Sequence, residues 1–550
     1  MKVYEAVARA ILDEGTRTAF SLLGDANMEL VASLRALGLA DIRQSRHESA
    51  TVAEAEGYAR ASGTPAVCSV TCGPGLANAL LSLTSAVRSR APIVLVTGAP
   101  SRDDSTNLQR FDHHGVAKLA GAAYQTVGSP DAVLDAVRSA FRTARTGSIP
   151  VVLDVDIDIQ NSDYPWDYAY EPSTVGLTPR QRPWPDELVL RAAVERLRAA
   201  ERPVVLAGEG AVAAGAADAL RALAERAGAL LAVTLPARGL FHPDPFNIGV
   251  AGLFSSPVAG ELLAEADCVV AVGASLNYFT TEGGYLFPNA AVIQVDVASQ
   301  VTMSTGRSAD VYLLADARVG AEKLLEALRG DPPRTGYRTP EVARMIRDRP
   351  IDASTPELEP GTADPREVCE ELERRLPEVA GLVIGGGHFW AFPIMHMARR
   401  YEPQLFGYHF GAIGQGLPLA LGAAAARPDR PVVLVEGDGS LLMNAGELEG
   451  LARRGTRVLA LILNDQAYGA EFHKLRAKGF EPDLGANPPT DIAAVARAFG
   501  CPGAVITDAK ELGPLVDEFL AGTGPMLIDC RISRNVISAP YRRMHFGLEH

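Results

Sequence analysis

Short apolar runs rich in Val, Ile and Leu recur along the chain, separated by stretches whose apolar residues return at helical spacing. The first part holds PAVCSV, APIVLVTG and PVVLDV, the last closing near residue 155. The middle holds RPVVLAGEGA, CVVAVGAS and AVIQVDV. The last part holds GLVIGGGHFW, PVVLVEGDGS, VLALILND and PMLIDCRI. Strand-like runs alternating with helical stretches are the pattern of α/β domains built on parallel sheets. Two stretches interrupt it. NSDYPWDYAYEPSTVGLTPRQRPWP is rich in Pro and aromatics, and LRGDPPRTGYRTPEVARMIRDRPIDASTPELEPGTADP is rich in Pro and charge; both read as linkers. The expected fold class is therefore α/β, three consecutive parallel-sheet domains over residues 1–165, 185–330 and 360–540.

Composition narrows the partners. At 550 residues the chain is too long for one core. A net charge of −14 argues against nucleic acid and anionic membrane, which attract basic surfaces. No apolar run is long enough to span a bilayer, and the charges spread through MKVYEAVARAILDEGTRTAF exclude a signal peptide. Six cysteines at 68, 72, 268, 369, 501 and 530 lack metal-ligand spacing, so a cytoplasmic protein with reduced thiols is expected. The closing LEH reads as a tag remnant.

The candidate chemistry lies where apolar runs end. PVVLVEGDGS is a strand running into a glycine turn, LLMNAGELEGLARRG reads as a helix stopped by Gly455, and VLALILND is the next strand. A right-handed strand–helix–strand unit makes the two strands parallel. Asp438 and Asp465 then lie at carboxyl ends of strands, where open α/β sheets bind ligands. The helix start between them aims free N–H groups at the same place. Two carboxylates beside a helix N-terminus suit Mg²⁺ bridging to a phosphate group. A lone GDG is most often only a turn; the Asp at the next strand end makes it more.

Gly437-Asp438-Gly439, then 24 residues, then Asn464-Asp465 resembles the GDG…NN signature of thiamine-diphosphate-dependent enzymes of the 2-oxo acid decarboxylase and acetolactate synthase type. Asp465 stands where that family usually has its second Asn. SRHESATVAEAEGYARASG is similar to the family's catalytic-glutamate segment, TCGPGLANAL to its Gly-Pro-Gly loop, and FGAIGQGLP to the segment supporting the bent cofactor. The resemblance covers essentially the whole chain. It implies a pyrimidine-binding, a central and a diphosphate-binding domain, with thiamine diphosphate and Mg²⁺ as cofactors. It implies Asp438, Asp465 and the carbonyl of Ala467 as metal ligands. Glu48, Asn78, His388, Gly411, Ile413, Gly437, Gly439 and Ser440 would meet the cofactor, Ile413 as the apolar wedge between its rings. Glu48, in an apolar surround such as Ala50, Val52 and Ala53, would act on the pyrimidine. The cofactor would lie between subunits of a homodimer at minimum, and a homotetramer is common among relatives.

The implied reaction is cleavage of a small 2-oxo acid with loss of CO₂, followed by protonation or ligation of the remaining fragment. An acetolactate-synthase-like carboligase and a non-catalytic partner subunit are the alternatives. Asp25 in LLGDANMELV, Glu471 in AYGAEFH, and His113-His114 resemble catalytic positions of the decarboxylases; LQRFDHHGVAKLAG matches Gln109 to the active-site glutamine of the synthases. The plain readings beside these are a helix N-cap for Asp25, a solvated pair for His113 and His114, and a surface glutamate paired with His473 or Lys474 for Glu471. A proton donor at Glu471 would need an apolar surround. The tail lacks the tryptophan-containing segment of acetolactate synthases. LAGEGAVAAGAADAL in the central domain lacks GxGxxG, and FAD or ADP there is left open.

Overall fold

The computed structural model describes residues 1–101, 103–178, 181–298 and 306–547; Leu548-Glu549-His550 lies outside the described residues. Three parallel six-stranded sheets follow one another along the chain. The first contains β1 (Thr18–Ser21), β2 (Asp41–Gln44), β3 (Ala66–Ser69), β4 (Ile93–Thr97), β5 (Ala123–Thr126) and β6 (Val151–Asp154). The second contains β7 (Pro203–Ala207), β8 (Leu230–Val233), β9 (Asn247–Val250), β10 (Cys268–Val272), β11 (Ala291–Asp296) and β12 (Val311–Leu314). The third contains β13 (Gly381–Ile384), β14 (Gln404–Phe406), β15 (Val432–Gly437), β16 (Val458–Asn464), β17 (Gly503–Ile506) and β18 (Met526–Arg531). Every apolar run quoted above is a strand. The strands without such a run are three or four residues long, and most, like β2 and β17, sit half-exposed at sheet edges.

Strand order fixes where each sheet can bind. The first is β2-β1-β3-β4-β6-β5 and the third β14-β13-β15-β16-β18-β17, the same plan twice. In that plan the connections reverse between the first and third strands, opening a crevice at their carboxyl ends. The central sheet, β12-β11-β10-β7-β8-β9, has instead the order of doubly wound dinucleotide-binding sheets. Its β7 turn is closed, however: a Cβ at Gly208 would lie 2.1 Å from the Gly273 carbonyl oxygen, and one at Gly210 2.8 Å from the Gly273 Cα. These glycines serve packing between two turns.

The sequence reading needs three adjustments. LLMNAGELEGLARRG is two helices, Asp438–Met443 and Glu447–Arg454, the second stopped by left-handed Gly455 (φ 57°). The break falls at Asn444, whose side chain donates to the Gly414 carbonyl at 2.6 Å. The first linker is strapped to the first domain: the Tyr170 hydroxyl and the Ser173 N–H both donate to Glu14 Oε1 at 2.6 Å. The second holds a helix, Pro340–Asp348, capped by the Thr339 side chain with Pro at its first position.

The first and third domains meet through two helices from distant parts of the chain, Glu48–Ser62 and Gly416–Ala426. A Cβ at Gly57 would lie 2.1 Å from the Leu419 carbonyl oxygen, and one at Gly422 1.8 Å from that of Glu54. The helices therefore touch backbone to backbone. Buried Arg238 ties the central to the third domain, donating to the Met397 carbonyl and to Gln404 Oε1 at 2.9 Å. Replacing Gly422 by Ala should force the two helices apart and cost about 1–3 kcal/mol, read as a lowered first transition in calorimetric unfolding. Ala at half-buried Gly524, where a Cβ meets nothing within 4 Å, should leave that transition unmoved.

Candidate active site

The third sheet forms its crevice between β13, which runs into Gly385-Gly386-Gly387-His388, and β15, which runs into Asp438. β15 pairs with β16, Gly437 beside Leu463, so Asp438 and Asp465 emerge at neighbouring strand ends. Both are buried, at 4% and 8% exposure. Desolvation raises the carboxyl pKa of each, and for Asp465 the Asp438 charge adds to it. Asp438 Oδ2 accepts from Asn487 Nδ2 at 3.1 Å, and Asp465 Oδ1 from the Ala467 N–H at 3.1 Å. Gln466 takes a left-handed φ of 55° to turn the chain there. Among the described residues no N–H donates to the Ala467 carbonyl, nor do three or more His, Cys, Asp or Glu side chains gather to hold a metal. Two crowded carboxylates and a free carbonyl remain, an oxygen set suited to Mg²⁺ completed by phosphate and water.

The floor is glycine because rings lie against it. A Cβ at Gly437 would lie 2.8 Å from the Phe389 ring, and one at Gly439 2.8 Å from that of Tyr468. Ser440 Oγ accepts the Gly414 N–H at 2.7 Å, so its side chain pins the loop that carries Ile413. Gly411 (φ 72°) turns that loop, and half-buried Ile413 stands over Gly386. These groups line one wall of an open cleft of about 1580 Å³ shared with the central sheet's strand ends; Arg88, Arg90, Arg182 and Lys474 also line it. They supply the positive charge that an anion needs against the chain's net −14. A diphosphate, a divalent cation and an apolar wedge between two rings all fit these residues.

His388 also lines the cleft. Its Nε2 accepts the Ser538 N–H at 3.0 Å, and burial holds its pKa well below the ordinary histidine value, so the ring is neutral. Three neighbours escaped the sequence reading as site residues; for His473 it gives only a surface pairing with Glu471. His473 lies under His388, ring centroids 4.4 Å apart, and burial lowers it to about 4. Tyr541, from the returning tail, meets His388 at 4.8 Å. Glu436 is fully buried, its carboxyl threaded between Gly385 and Gly416, and burial pushes it up to about 8. A glutamate inside the apolar run PVVLVEG was the available signal.

The first sheet brings a second set to its strand ends: Asp25 after β1, Glu48 after β2, Asn78 after β3 and Gln109 after β4. Asn78 Nδ2 donates to Glu48 Oε2 at 3.0 Å. Cys72 Sγ donates to Gln109 Oε1 at 2.9 Å, and the Gln109 backbone packs on left-handed Gly73. Four expectations are corrected here. His113 is no solvated residue: Nδ1 faces Asp154 Oδ2 at 2.9 Å and Nε2 accepts the Gly73 N–H at 3.3 Å. Both nitrogens are used, so it braces the Gly-Pro-Gly loop; exposed His114 lies against the Tyr124 ring. Asp25 is not an N-cap, because Asn27 occupies that place and Asp25 is exposed. Although Ala50, Val52 and Ala53 are fully buried, Glu48 is only half-buried. Glu471 lines the cleft with its side chain 61% exposed and 3.4 Å from the Lys474 ammonium, so this chain gives it no apolar surround. The Glu48 set does not line the cleft that holds Asp438.

A strand-end carboxylate pair, a wedge loop and a glutamate-bearing helix on a twice-used sheet plan define a thiamine-diphosphate enzyme. Models of the thiamine pyrophosphate enzymes match the chain in all three domains. The N-terminal thiamine-pyrophosphate-binding domain matches residues 1–120, the central domain 190–328 and the C-terminal thiamine-pyrophosphate-binding domain 384–530. The chain is 30% identical to a probable 2-ketoarginine decarboxylase of Pseudomonas aeruginosa, over 94% of this chain and 91% of that protein. It is 29% identical to the acetolactate synthase large subunit of Parasynechococcus marenigrum, over 89% and 80%. It is 28% identical to the acetolactate synthase isozyme 3 large subunit of Escherichia coli, over 94% and 92%. The chain belongs to the thiamine-diphosphate-dependent enzymes of the acetolactate synthase and 2-oxo acid decarboxylase type.

The raised carboxyls set a pH dependence. A carboxyl raised by folding stabilises the fold below its unfolded value, and that contribution is lost as pH rises through the folded one. A divalent cation bound to the deprotonated pair would relieve the cost. The gain in melting temperature from Mg²⁺ with thiamine diphosphate should therefore grow as pH rises above the ordinary carboxylate range. Asp438→Ala should abolish the gain, and Asp465→Asn should keep it while flattening its pH dependence. Calorimetry over that rise in pH checks all three.

Proposed function

We propose that this chain is a thiamine-diphosphate- and Mg²⁺-dependent enzyme that decarboxylates a small 2-oxo acid, acting in the cytoplasm as a homodimer or homotetramer. The buried Asp438–Asp465 pair at adjacent strand ends carries the proposal. Asp438, Asp465 and the Ala467 carbonyl would hold the metal, and the Ile413 loop, pinned by Ser440 and Asn444, would hold the cofactor bent. Bound thiamine diphosphate supplies a nucleophilic carbon and an electron sink for breaking a carbon–carbon bond. Glu48 holds and moves a proton at the pyrimidine ring nitrogen. Asn78 orients its carboxyl, and neutral His388 stands where it can donate through Nδ1. Six buried, unpaired thiols suit a reducing compartment. Among the described residues no helix is long and apolar enough to cross a membrane.

Two observations support assembly. The Glu48 set and the Asp438 set do not meet within one chain, and both lie beside exposed apolar residues: Leu81, Leu108 and Phe111 near the first, Phe410, Met443 and Tyr468 near the second. A second copy would cover these and complete the site. The relatives named as acetolactate synthases and as a 2-ketoarginine decarboxylase fit a 2-oxo acid substrate. The exposure of Glu471 favours carboligation as a second reading, with Gln109 facing the substrate. For the central domain, the closed Gly208–Gly273 contact favours a role without FAD or ADP; the visible absorbance of the purified protein tests this.

Glu48→Gln and Asp438→Ala should each be inactive alone. Mixed after subunit exchange, they should regain activity, because a mixed dimer keeps one site with both groups intact. No recovery on mixing would mean that each site is built within one chain. Holoenzyme incubated with a panel of 2-oxo acids, alone and with acceptor aldehydes, should release CO₂; silence across the panel overturns the reaction class. Glu471→Gln should slow aldehyde release by about 10²-fold or more while one turnover of CO₂ is still released. Unchanged release would transfer the substrate role to Gln109.

A further inference from the structure

Glu48 is the first residue of its helix, entered through the turn Ser45-Arg46-His47. The third domain of the same chain also holds that turn. Glu447 Oε1 accepts the N–H groups of Arg46 at 2.7 Å and His47 at 3.2 Å. The Glu447 side chain is all but fully buried. Its helix grips the region further: Arg46 Nη2 lies 2.7 Å from Glu449 Oε2, Arg454 Nη1 donates to Glu54 Oε2 at 2.8 Å, and Arg453 Nη2 donates to the Gln44 carbonyl at 3.0 Å. At its other end the same segment begins with Asp438. Between them, Asn444 holds the Gly414 carbonyl beside Ile413, and the Asn444 carbonyl accepts the Glu447 N–H at 2.9 Å.

We infer that Glu447 is a positioning residue: it fixes the direction in which Glu48 leaves its strand–helix turn and ties it to the segment carrying Asp438. The inference rests on the proposed role of Glu48. Arg46 and His47 are themselves exposed, but the acceptor of their N–H groups is 1% exposed, and one such hydrogen bond lost costs about 0.5–1.5 kcal/mol. One carboxylate oxygen serves both here. With the carboxylate gone, the turn is free to rotate and the Glu48 carboxyl loses its aim, although no group of the metal or diphosphate site has been touched. Glu447 therefore joins a residue of the first sheet to the wedge and metal positions of the third, within one chain.

The test separates aim from folding. In apoprotein, Glu447→Ala should speed amide hydrogen exchange of Arg46 and His47 by roughly tenfold, the size of one lost hydrogen bond. In holoenzyme it should slow exchange of the cofactor C2 hydrogen by about the same factor while the affinity for thiamine diphosphate with Mg²⁺ stays within about threefold. Glu447→Gln, which keeps a carbonyl acceptor, should restore all three quantities. Glu447→Asp keeps the charge but shortens the reach, so it should behave like Ala and serves if Ala does not fold. Glu48→Gln is the control. If it fails to slow C2 exchange, the role of Glu48 is wrong; if it does slow it while Glu447→Ala and Glu447→Asp leave amide protection and C2 exchange at wild-type values, the inference is overturned. A loss of cofactor affinity matching the loss of exchange would also overturn it, showing a general collapse of the site.

Discussion

Helices Glu48–Ser62 and Gly416–Ala426 touch at Gly57 and Gly422, where neither backbone leaves room for a Cβ. The relation of the first domain to the third within one chain follows from that approach. It brings Ser82 within reach of Gln415, 2.7 Å from hydroxyl to amide oxygen, and Ser82 in turn meets Ser49 at 2.6 Å, one residue from Glu48. It also brings the Glu447 helix against the turn before Glu48. A pair of larger residues would hold the domains apart and leave these polar groups facing buried space without partners, a cost of the kind native interiors avoid. Two missing side chains thus decide how a glutamate near the start of the chain and an aspartate near its end are related.

The sequence made the framework legible wherever burial was complete. Strands buried on both faces, such as β15 and β16, announce themselves as unbroken apolar runs. Edge strands such as β2 and β5 do not, because exposed faces admit polar residues and four residues give no periodicity to measure. Asp438 and Asp465 were legible because a carboxylate at the end of an apolar run has no packing role. The break at Asn444 was not: leucine spacing continues through it, and only a partner 30 residues back in the chain explains it.

Side chains whose role depends on distant approach stayed hidden. Glu447 meets a turn 401 residues earlier, and no local pattern distinguishes it from Glu449, two residues on, which is a surface ion-pair member. His113 is a candidate for chemistry by resemblance to the paired histidines of the decarboxylases; its contact with buried Asp154, on another strand, makes it a brace for the Gly-Pro-Gly loop. Glu471 was half legible. Its spacing from Asp465 places it on the cleft, but spacing does not report exposure, and its side chain is 61% exposed within one chain.

A binding site completed by two chains has a thermodynamic corollary under the proposed assembly. A ligand gripped by two chains binds the pair and not the single chain, so mass action couples its occupancy to subunit association. Cofactor then acts as mortar: saturating it tightens the dimer, and dilution of the protein weakens apparent cofactor affinity without any change at the site itself. The crowded carboxylates sharpen this coupling, since without a cation they oppose the closure that a second chain would bring. Under that assembly, activity becomes a cooperative function of the concentrations of metal, cofactor and partner.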